Sequence, residues 1–590
     1  MKYLHLAILL LFLVSFVTTT SAQKDTTKLN QSVEVMKAYH PSMSKANKLN
    51  LLPLFEDTTR FTPEFKYSIE SRPISSGFSA SAIQAVDVNS AKSKELGIGD
   101  FKVGVGTSNS ILGSFSLNVP KSQTGSFGLR LNHNASDGFV HLRGGDRVAA
   151  PWSRTGAGLY GTVNLGGSIL SADLSYDRYA MNYYGYTGSL PRKIDSLTTL
   201  NYGLNQVYEK GNLDVAVRSV GKNSSLLKFN TGVRLGFFDT KTTQKEQSSG
   251  LYGLFDYDFG VAHGLLNLSF DQFTTEHISL GASELETTNK GWLRMAPSAR
   301  FAGDIWTFRG GVKFVAVSDK IEGNTTKLYP DLEFVLNPVG DYVKLFAGVD
   351  GDLKQANYSQ IALDNYWVDP SHNFRNTDQS FRAFVGLKGK ISRELSYNMA
   401  FNYSRVKDLY FYGLASYASM LPQTVVYENK FKPIYDNGSI ANLTGELSYL
   451  SNSKLNIIVK GNYSHYTLDA LPFAPQKANL ELSATTSFPV FEKLAGFIDI
   501  GFVGGRQALV YPYSTSQTAS SLLNTSFAAS SPVVFQIDPI LQLNVGATYQ
   551  LQQKLRLFGR VENLLNQRNE QWLGYSSQGI RLLVGISFLF

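Results

Sequence analysis

The sequence contains no cysteine among its 590 residues, which excludes disulfide bonds, thiolate metal ligands and a cysteine nucleophile. It also excludes a lipid-anchored cysteine at an export cleavage site. The 8 histidines are scattered, and none forms a HExxH or similar metal-spaced pair. The G-x-S-x-G elbow of serine hydrolases is absent as well. The sequence therefore predicts no cofactor, no metal site and no enzymatic activity.

Long hydrophobic runs are also missing. Beyond the amino terminus, no segment approaches the ~20 consecutive apolar residues that a transmembrane helix requires. The run from Leu6 to Val17 is too short to span a bilayer; it follows a lysine and precedes small residues. We therefore expect residues 1–22 to be a cleaved signal peptide that directs the chain out of the cytoplasm.

Charge of one sign is not concentrated anywhere in the chain. The net charge of +8 is mild for this length, and without a Lys/Arg block we expect no nucleic-acid partner. Aromatic residues and glycine are abundant instead, with 31 Tyr, 38 Phe and 51 Gly. Tyr and Phe fit a pleated sheet, and Gly is easily placed at turns and close contacts. This composition favours β structure over helix.

The last strand, residues 579–590, has two different faces when every second residue is read. The apolar face consists of Leu582, Val584, Ile586, Phe588 and Phe590. The opposite face mixes Arg581, Gly585 and Ser587 with two leucines. A period of two indicates a strand between two environments. Because many outer-membrane barrels end on an aromatic residue, we interpret this strand as the signal for the barrel assembly machinery.

The same two-face pattern recurs along most of the chain from about residue 96. A charge facing lipid near the midplane would cost ~2–4 kcal/mol, so an uncharged apolar face is what a membrane barrel needs. Without a helical span, only a closed barrel can satisfy every backbone group in lipid. The sequence therefore predicts an all-β, integral outer-membrane barrel over residues 96–590.

Short and long connections alternate between the predicted strands. Tight turns are predicted near 120–124, 166–167, 221–225, 260–263, 303–304, 338–341, 390–393, 451–454, 490–493 and 552–554. Longer connections are predicted at 137–154, 185–199, 356–375, 408–430, 505–535 and 567–577. Short periplasmic turns opposite long extracellular loops are typical of outer-membrane barrels. The alternation gives about 22 antiparallel strands, an even number as bacterial single-chain barrels require.

Clusters of aromatic residues fall at the loop ends of predicted strands. They are Tyr183, Tyr184 and Tyr186; Tyr410, Phe411 and Tyr412; and Tyr511 and Tyr513. Aromatic girdles mark the membrane–water interfaces of barrels. We therefore expect these side chains to form the upper girdle.

The carboxyl-terminal part of the chain resembles the barrel of TonB-dependent receptors. The resemblance lies in Leu-Phe-Gly-Arg-Val-Glu-Asn-Leu-Leu-Asn at 557–566, in Gly574-Tyr575, and in the last strand. Leu565 stands where that family's Asn-Leu-Phe-Asn motif has Phe. Residues 97–108 also resemble the family's first barrel strand. The resemblance covers about 96–590 and implies an outer-membrane receptor or transport barrel that passes or captures a ligand.

The segment before the barrel departs from that family, whose members carry a plug domain of well over a hundred residues. Residues 23–95 show no plug-like succession of strands. A 22-stranded barrel has a lumen too wide for its own side chains to fill, and known ones carry a plug. We expect the lumen to be closed by residues 23–95, by inward-folded loops or by a separate protein.

Residues 23–95 are expected to form an extended segment that docks on the lumen wall or on a periplasmic protein. Within it, Val33, Glu34 and Val35 loosely resemble the short box by which receptors engage the TonB protein. An ordinary extended tether is the alternative for this stretch.

Four arginines fall on predicted inward faces: Arg130, Arg556, Arg560 and Arg581. A basic strip of this kind could favour anionic solutes. The alternative, which we favour, is pairing with Asp173, Asp177 and Glu562, because lumen charges usually find partners.

Three functions stay open from the sequence. The first is a receptor or transport barrel embedded in outer-membrane lipid. The second is a scaffold that anchors a periplasmic or surface complex without transporting anything, and the third is an enzyme at the barrel rim.

Overall fold

The structure of the protein is a computed structural model. It describes residues 98–119, 124–143, 145, 147–185, 205–220, 226–241, 244–278, 285–320, 322–369, 374–418, 425–451, 454–512 and 532–590. The signal peptide, residues 23–95 with Val33, Glu34 and Val35, and the aromatic residues Tyr186 and Tyr513 lie outside these ranges.

The described chain is almost entirely β structure. Its first half contains β1 (Gly99–Gly106), β2 (Ser110–Val119), β3 (Gly125–Ser136), β4 (Phe139–His141), β5 (Arg147–Ala149), β6 (Trp152–Asn164), β7 (Ser168–Asn182), β8 (Asn205–Ser219), β9 (Leu227–Thr240), β10 (Lys245–Asp258), β11 (His263–Ile278), β12 (Leu285–Ala302), β13 (Trp306–Asp319), β14 (Thr325–Val339) and β15 (Val343–Lys354). A short helix, α1 (Tyr358–Asp364), follows.

The second half contains β16 (Thr377–Lys390), β17 (Leu395–Ala418), β18 (Val425–Leu450), β19 (Asn456–Leu468), β20 (Leu480–Phe491), β21 (Leu494–Gly504), β22 (Arg506–Pro512), β23 (Val533–Ile537), β24 (Ile540–Gln550), β25 (Leu555–Glu562), β26 (Glu570–Trp572), β27 (Tyr575–Ser576) and β28 (Arg581–Leu589). In the described ranges, no helix has the length and apolar character needed to cross a membrane.

Twenty-two of these strands form one closed antiparallel barrel. Each strand pairs with the next along the chain, except that β4–β5, β22–β23 and β26–β27 form separate hairpins above the barrel wall. The ring closes where β28 pairs with β1, in the register Phe101↔Phe588 and Gly104↔Gly585. The predicted fold class and strand number are therefore confirmed.

The last residue completes this closing seam. The backbone amides of Gly99 and Phe590 each donate to the other's carbonyl oxygen at 3.0 Å. The Phe590 ring lies against Gly99, where an added Cβ would come within 2.3 Å of a ring carbon. A side chain at position 99 would therefore displace the terminal ring.

A second ring packs across the seam from the inside. Phe558 on β25 covers the facing glycines Gly585 and Gly104, and a Cβ on Gly585 would lie 2.4 Å from the ring and 2.2 Å from the Val103 carbonyl oxygen. Glycine permits this approach because it has no side chain. The aromatic ring in turn covers backbone that the glycines leave bare.

The ten predicted tight turns all fall between consecutive barrel strands at one end of the barrel, here called the turn end. The opposite end, the loop end, carries the longer connections. The loop predicted at 408–430 was wrong, because β17 continues to Ala418 and β18 begins at Val425. Aromatic and apolar residues pair across these strands, including Tyr410↔Tyr435 and Phe411↔Ile434, so the ladder continues well beyond 408.

The two faces of the last strand lie in different environments. Leu582, Val584 and Ile586 on the outer face are 45%, 48% and 42% exposed, whereas Leu583 between them is 1% exposed. Phe588 shares the outer face and its exposure. An apolar outer surface on a closed barrel is what contact with lipid requires.

Candidate functional site

Apolar side chains at the loop end form one buried cluster, here called the loop-end core. Its members are Met181, Tyr183, Tyr208, Phe238, Ala356, Tyr358, Ile361, Ala362, Trp367, Val368, Phe374, Tyr412, Leu414, Phe431, Ala508, Val510, Ile537, Trp572, Leu573 and Tyr575. In the ring of strands, β7 and β8 lie nearly opposite β17 and β18. The cluster therefore joins opposite sides of the barrel.

The connection between β15 and β16 contributes most to this bridge. Its residues 355–369, here called the α1 segment, reach β8, where the Tyr208 hydroxyl donates to the Tyr366 carbonyl oxygen at 2.8 Å. Trp367 Nε1 donates to the Asn182 carbonyl oxygen at 3.0 Å. On the opposite side, the Tyr412 hydroxyl donates to Asp364 Oδ2 at 2.9 Å. The α1 segment thus spans the distance between facing walls.

Further contacts tie the α1 segment to the other loops. Trp367 stacks on Tyr575 of β27 with ring centroids 4.1 Å apart. Ser359 Oγ donates to Glu246 Oε1 of β10 at 2.6 Å. Burial raises the pKa of the Tyr358 hydroxyl well above its usual value, because the ring lies in the loop-end core.

A polar latch links three loops beside this core. Arg143, between β4 and β5, donates from Nε to Glu570 Oε2 at 2.8 Å and from a terminal nitrogen to the Gln536 carbonyl oxygen at 2.7 Å. The Glu570 side chain is only 2% exposed. Arg506 of β22 donates to the Gln571 carbonyl oxygen at 2.9 Å, and burial lowers its pKa to about 10. These contacts hold the β4–β5, β22–β23 and β26–β27 hairpins together.

The β22–β23 hairpin also turns inward. β22 pairs in parallel with the end of β17, with Leu414 opposite Val510. In the barrel ring, β18, β19 and β20 separate β17 from β21, the strand that leads into β22. This pairing therefore lies across part of the loop-end mouth.

A cavity of about 700 Å³ lies between the α1 segment and the wall formed by β10 to β17. Its volume falls in the range of small-molecule sites, about 300–1,000 Å³. It is lined by Gln244, Glu246, Phe273, Thr275, Thr288, Asn289, Lys290, Asp319, Glu322, Thr325, Lys327, Leu353, Ala356, Asn357, Tyr358, Phe374, Arg375, Asn376, Asp378, Lys407 and Asp408. The lining carries charged groups of both signs.

Most of the charged groups in this wall are paired with each other. The Lys290 ammonium lies 2.9 Å from Asp319 Oδ2. Lys327 makes the same contact, at 2.9 Å, with Asp378 Oδ2. The Tyr329 hydroxyl donates to the other Asp378 oxygen at 2.7 Å, so that carboxylate is held on both sides.

Three polar groups of the wall are less fully engaged. Glu322 accepts a side-chain hydrogen bond of 3.4 Å and a backbone hydrogen bond from Asn376, and burial raises its carboxyl pKa above the usual value. Lys407 is exposed and makes no ion pair with the residues that the structure describes. Gln244 is only 5% exposed, and its buried Oε1 atom has no hydrogen-bond partner.

The structure separates the four predicted lumen arginines into two places. Arg130 on β3 lies 3.9 Å from Asp173 and over the Tyr160 ring. Arg560 and Arg581 both contact Glu562, and the Arg581 Nε donates to Glu562 Oε2 at 2.7 Å. Arg556 lies on the same strand as Arg560 and is 8% exposed. None of the four lines the cavity under the α1 segment.

The predicted upper girdle was wrong for its described members. Tyr183, Phe411, Tyr412 and Tyr511 are at most 9% exposed, and they pack inside the loop end instead of against lipid. The same aromatic signal fits an interface or a buried core, and sequence alone does not separate the two. Reasoning from sequence also missed the α1 segment, although an aromatic-rich loop with Tyr366-Trp367 was a sign that it is buried.

Within the described ranges, no three His, Asp or Glu side chains come together as a metal site.

No family model matches the chain, and no curated protein sequence matches it. Its fold does match solved structures. The FrpB iron transporter from Neisseria meningitidis (F3-3 variant) is 12% identical, with a TM-score of 0.61 over 84% of this chain and 82% of that chain.

Two further structures are similar to the same extent. The pyoverdine outer-membrane receptor FpvA from Pseudomonas aeruginosa is 12% identical, with a TM-score of 0.61 over 85% of this chain and 79% of that chain. The siderophore receptor PirA from Acinetobacter baumannii is 9% identical, with a TM-score of 0.61 over 84% and 81%. Identities this low establish the fold alone. The protein has the fold of a TonB-dependent-receptor-like outer-membrane β-barrel.

Proposed function

We propose that the protein is an integral outer-membrane receptor or transport barrel that captures a ligand at its loop end, with its lumen closed there by its own loops. Export with cleavage of residues 1–22 is part of this proposal. So is recognition of the last strand by the barrel assembly machinery. Residues 23–95 would then dock in the lumen or bind a periplasmic protein.

The observation that carries this proposal is the course of the α1 segment. It leaves the wall after β15 and hydrogen-bonds to β7 and β8 on the far side, through Trp367 and Tyr366. A 22-stranded barrel has a lumen too wide for the side chains of its own wall to fill, and known ones carry a plug, so the mouth needs an obstruction. A buried aromatic bridge at the mouth is suited to that role.

The cavity beneath the α1 segment supports ligand capture. Its lining carries charged groups of both signs beside apolar side chains, and its volume lies in the range of small-molecule sites. The structurally similar proteins, an iron transporter and a siderophore receptor among them, agree with a receptor or transport function in general. They do not extend to the ligand of this chain.

The test is a deletion strain examined for both permeability and protein composition of its outer membrane. A receptor or transport barrel should change the uptake of particular solutes when it is deleted, while the other envelope proteins stay in place. A scaffold would give the opposite result, with unchanged uptake and the release of periplasmic or surface proteins that co-purify stoichiometrically with the intact barrel. An isolated barrel that turns over a lipid or peptide would indicate the rim enzyme.

A further inference from the structure

We propose that Glu246 is a pH-sensitive anchor of the α1 segment. The segment is held most firmly when the Glu246 side chain is protonated, and its hold weakens when that side chain ionises. The inference rests on closure of the lumen by the α1 segment, as proposed above, and adds a means of regulating that closure.

Glu246 lies at the loop end of β10. A tilted strand crosses a membrane in about 9–11 residues, and Glu246 is farther than that from Asp258 at the turn end, so it lies outside the membrane. The residue is 5% exposed. Because the α1 segment contributes to this burial, lifting the segment away from the wall would expose the carboxyl group to water.

Hydrogen bonds join Glu246 to the start of α1. The Ser359 hydroxyl donates to Glu246 Oε1 at 2.6 Å, and the backbone amides of Tyr358 and Ser359 donate to the same carboxyl group. The residue before the helix, Asn357, makes no capping hydrogen bond with its side chain. A side chain on β10 therefore supplies the acceptor that the residue before the helix does not.

These hydrogen bonds suit both forms of the Glu246 side chain. A hydroxyl group can donate to a carboxylate or accept from a carboxylic acid, so Ser359 can partner Glu246 in either state. When one carboxyl oxygen carries the proton, the other keeps its lone pairs for the backbone amides. Protonation thus leaves the contacts of α1 in place.

The surroundings of Glu246 offer little compensation for a negative charge. Its register partners are Phe238 on β9 and Thr275 on β11, neither of which carries a charge. Lys210 on β8 attracts the carboxylate, but Phe238 lies between them in the register and Lys210 lies opposite Asp177. Within the described ranges, Glu246 makes no ion pair. Ionisation therefore buries a charge without an adjacent cation.

Other ionisable groups around Glu246 are engaged or titrate at higher pH. The Tyr208 hydroxyl on β8 donates to a carbonyl oxygen of the α1 segment. Burial raises the pKa of the Tyr358 hydroxyl well above its usual value, so it stays neutral up to strongly basic pH. Across the cavity, Lys290 is paired with Asp319.

The direction of the pH dependence follows from burial. Burial is the largest effect on Glu246 and raises its pKa above the usual value of about 4.3. Exposure to water would restore the usual pKa, so the closed segment binds the proton more tightly than the open one. Closure is therefore firmest below about pH 4.3, loses stability as pH rises to the raised value, and changes no further above it.

The experiment is hydrogen exchange of the purified full chain in detergent between about pH 4 and about pH 8. The reporters are the amides of Ile361 and Asn365, which are hydrogen-bonded within the α1 segment. Each rate is divided by the intrinsic rate at the same pH to give a protection factor. In the wild type, protection should fall with rising pH by up to tenfold per pH unit, the limit for one proton, and then level off.

The Glu246→Gln variant keeps an acceptor for the backbone amides and a donor for the Ser359 hydroxyl, but it cannot ionise. Its protection factors should match the wild type at about pH 4 and stay at that level up to about pH 8. The matched control is Glu276→Gln on β11. Glu276 lies opposite Lys245 in the register, so it faces the other side of the sheet from Glu246 and should keep the wild-type profile.

A second variant, Glu322→Gln, tests the other buried carboxyl group of the cavity. Glu322 bonds to Asn376 beside β16 and not to α1, so its burial does not depend directly on the position of α1. Asn376 in turn accepts from the Ala356 amide, which makes Glu322 the nearest rival explanation. Glu322→Gln should keep the fall in protection with rising pH.

The proposal is overturned if wild-type protection of α1 does not change with pH or increases as pH rises. It is also overturned if Glu246→Gln keeps the wild-type profile, or if Glu322→Gln removes it. Heat-modifiable migration on gels verifies that each variant is a folded barrel. Uptake by the deletion strain is measured separately, so the barrel can remain a transporter when the pH-sensitive anchor fails.

Discussion

The latch between Arg143 and Glu570 offers the sharpest perturbation of the loop end. Both terminal contacts of the Arg143 side chain lie in other hairpins, one on the Glu570 carboxylate and one on the Gln536 carbonyl oxygen. The Arg143→Met variant removes this positive charge while keeping most of the side-chain volume. Glu570, 2% exposed, then becomes a buried carboxylate that keeps a 3.2 Å hydrogen bond from the Gly574 amide and the attraction of the nearby Arg506 charge.

The expected cost follows from the burial of Glu570. Removing one partner of a buried ion pair destabilises by about 3–5 kcal/mol, because the other charge is left uncompensated. The Arg143 side chain is 22% exposed, which lets some water reach the site, and the Arg506 charge stays near Glu570. Both effects place the expected cost near the lower value. At about 1.4 kcal/mol for each factor of ten, the opening of the latched loops should increase roughly a hundredfold or more.

Hydrogen exchange measured by mass spectrometry reports this opening. Peptides that contain the amides of Leu573 and Ser577 should exchange faster in Arg143→Met. The first amide donates to the Gln476 side chain and the second to the Asn569 carbonyl oxygen, and both bonds depend on the position of the β26–β27 loop. Peptides from the wall strands should not change. The control is Arg147→Met on the same hairpin, where the arginine is exposed and lies over the Phe139 ring.

A double variant separates a lost ion pair from a damaged fold. Replacing the pair by apolar residues, Arg143→Met with Glu570→Leu, removes the buried charge and should restore much of the slow exchange. The reasoning is refuted if Arg143→Met exchanges like the wild type. It is refuted equally if the double variant opens as far as the single one.

Three further predictions concern the seam, the α1 segment and the cavity. Gly585→Leu places a side chain against the Phe558 ring and a backbone carbonyl, so the folded, heat-modifiable form of the barrel should be lost. The control Gly113→Ala should fold normally, because an added Cβ there meets nothing within 4 Å. Trp367→Ala removes the stack on Tyr575 and should destabilise the loop end by about 3–5 kcal/mol. Hydrogen exchange of the α1 segment should become faster, and unchanged slow exchange there would contradict its role as a bridge between the walls. Burial raises the pKa of Glu322, so the stability it contributes is present below its usual pKa and is lost as pH rises through the folded value. Glu322→Gln should therefore raise the melting temperature at about pH 7 and leave it unchanged at about pH 3; equal shifts at both values would exclude this cause.

The barrel wall could be predicted from sequence because its rules are local. A period of two in residues 579–590 decides which side chains face outward, and short polar turns such as 166–167 fix where a strand reverses. Neither decision depends on residues far away in the chain. The closing strand was therefore placed correctly, and the strand number with it.

The loop end could not be predicted in the same way, because its contacts join residues far apart in sequence. Trp367 meets Tyr575 and Asn182, which no periodicity connects. The aromatic residues Tyr183 and Tyr412 gave the signal of a membrane girdle and are buried in a core instead. The cavity depends on the same fold-back, since α1 segment residues form one of its walls.

The most direct test of loop closure is the conductance of the purified full chain in a planar bilayer, compared with a variant in which residues 356–375 are replaced by a short Gly/Ser turn. Heat-modifiable migration shows that both barrels are folded before the measurement. Closure by the α1 segment predicts a silent bilayer for the intact protein and large, steady current steps for the variant. Steps from the intact protein, or silence from both, would contradict closure of the lumen by the α1 segment.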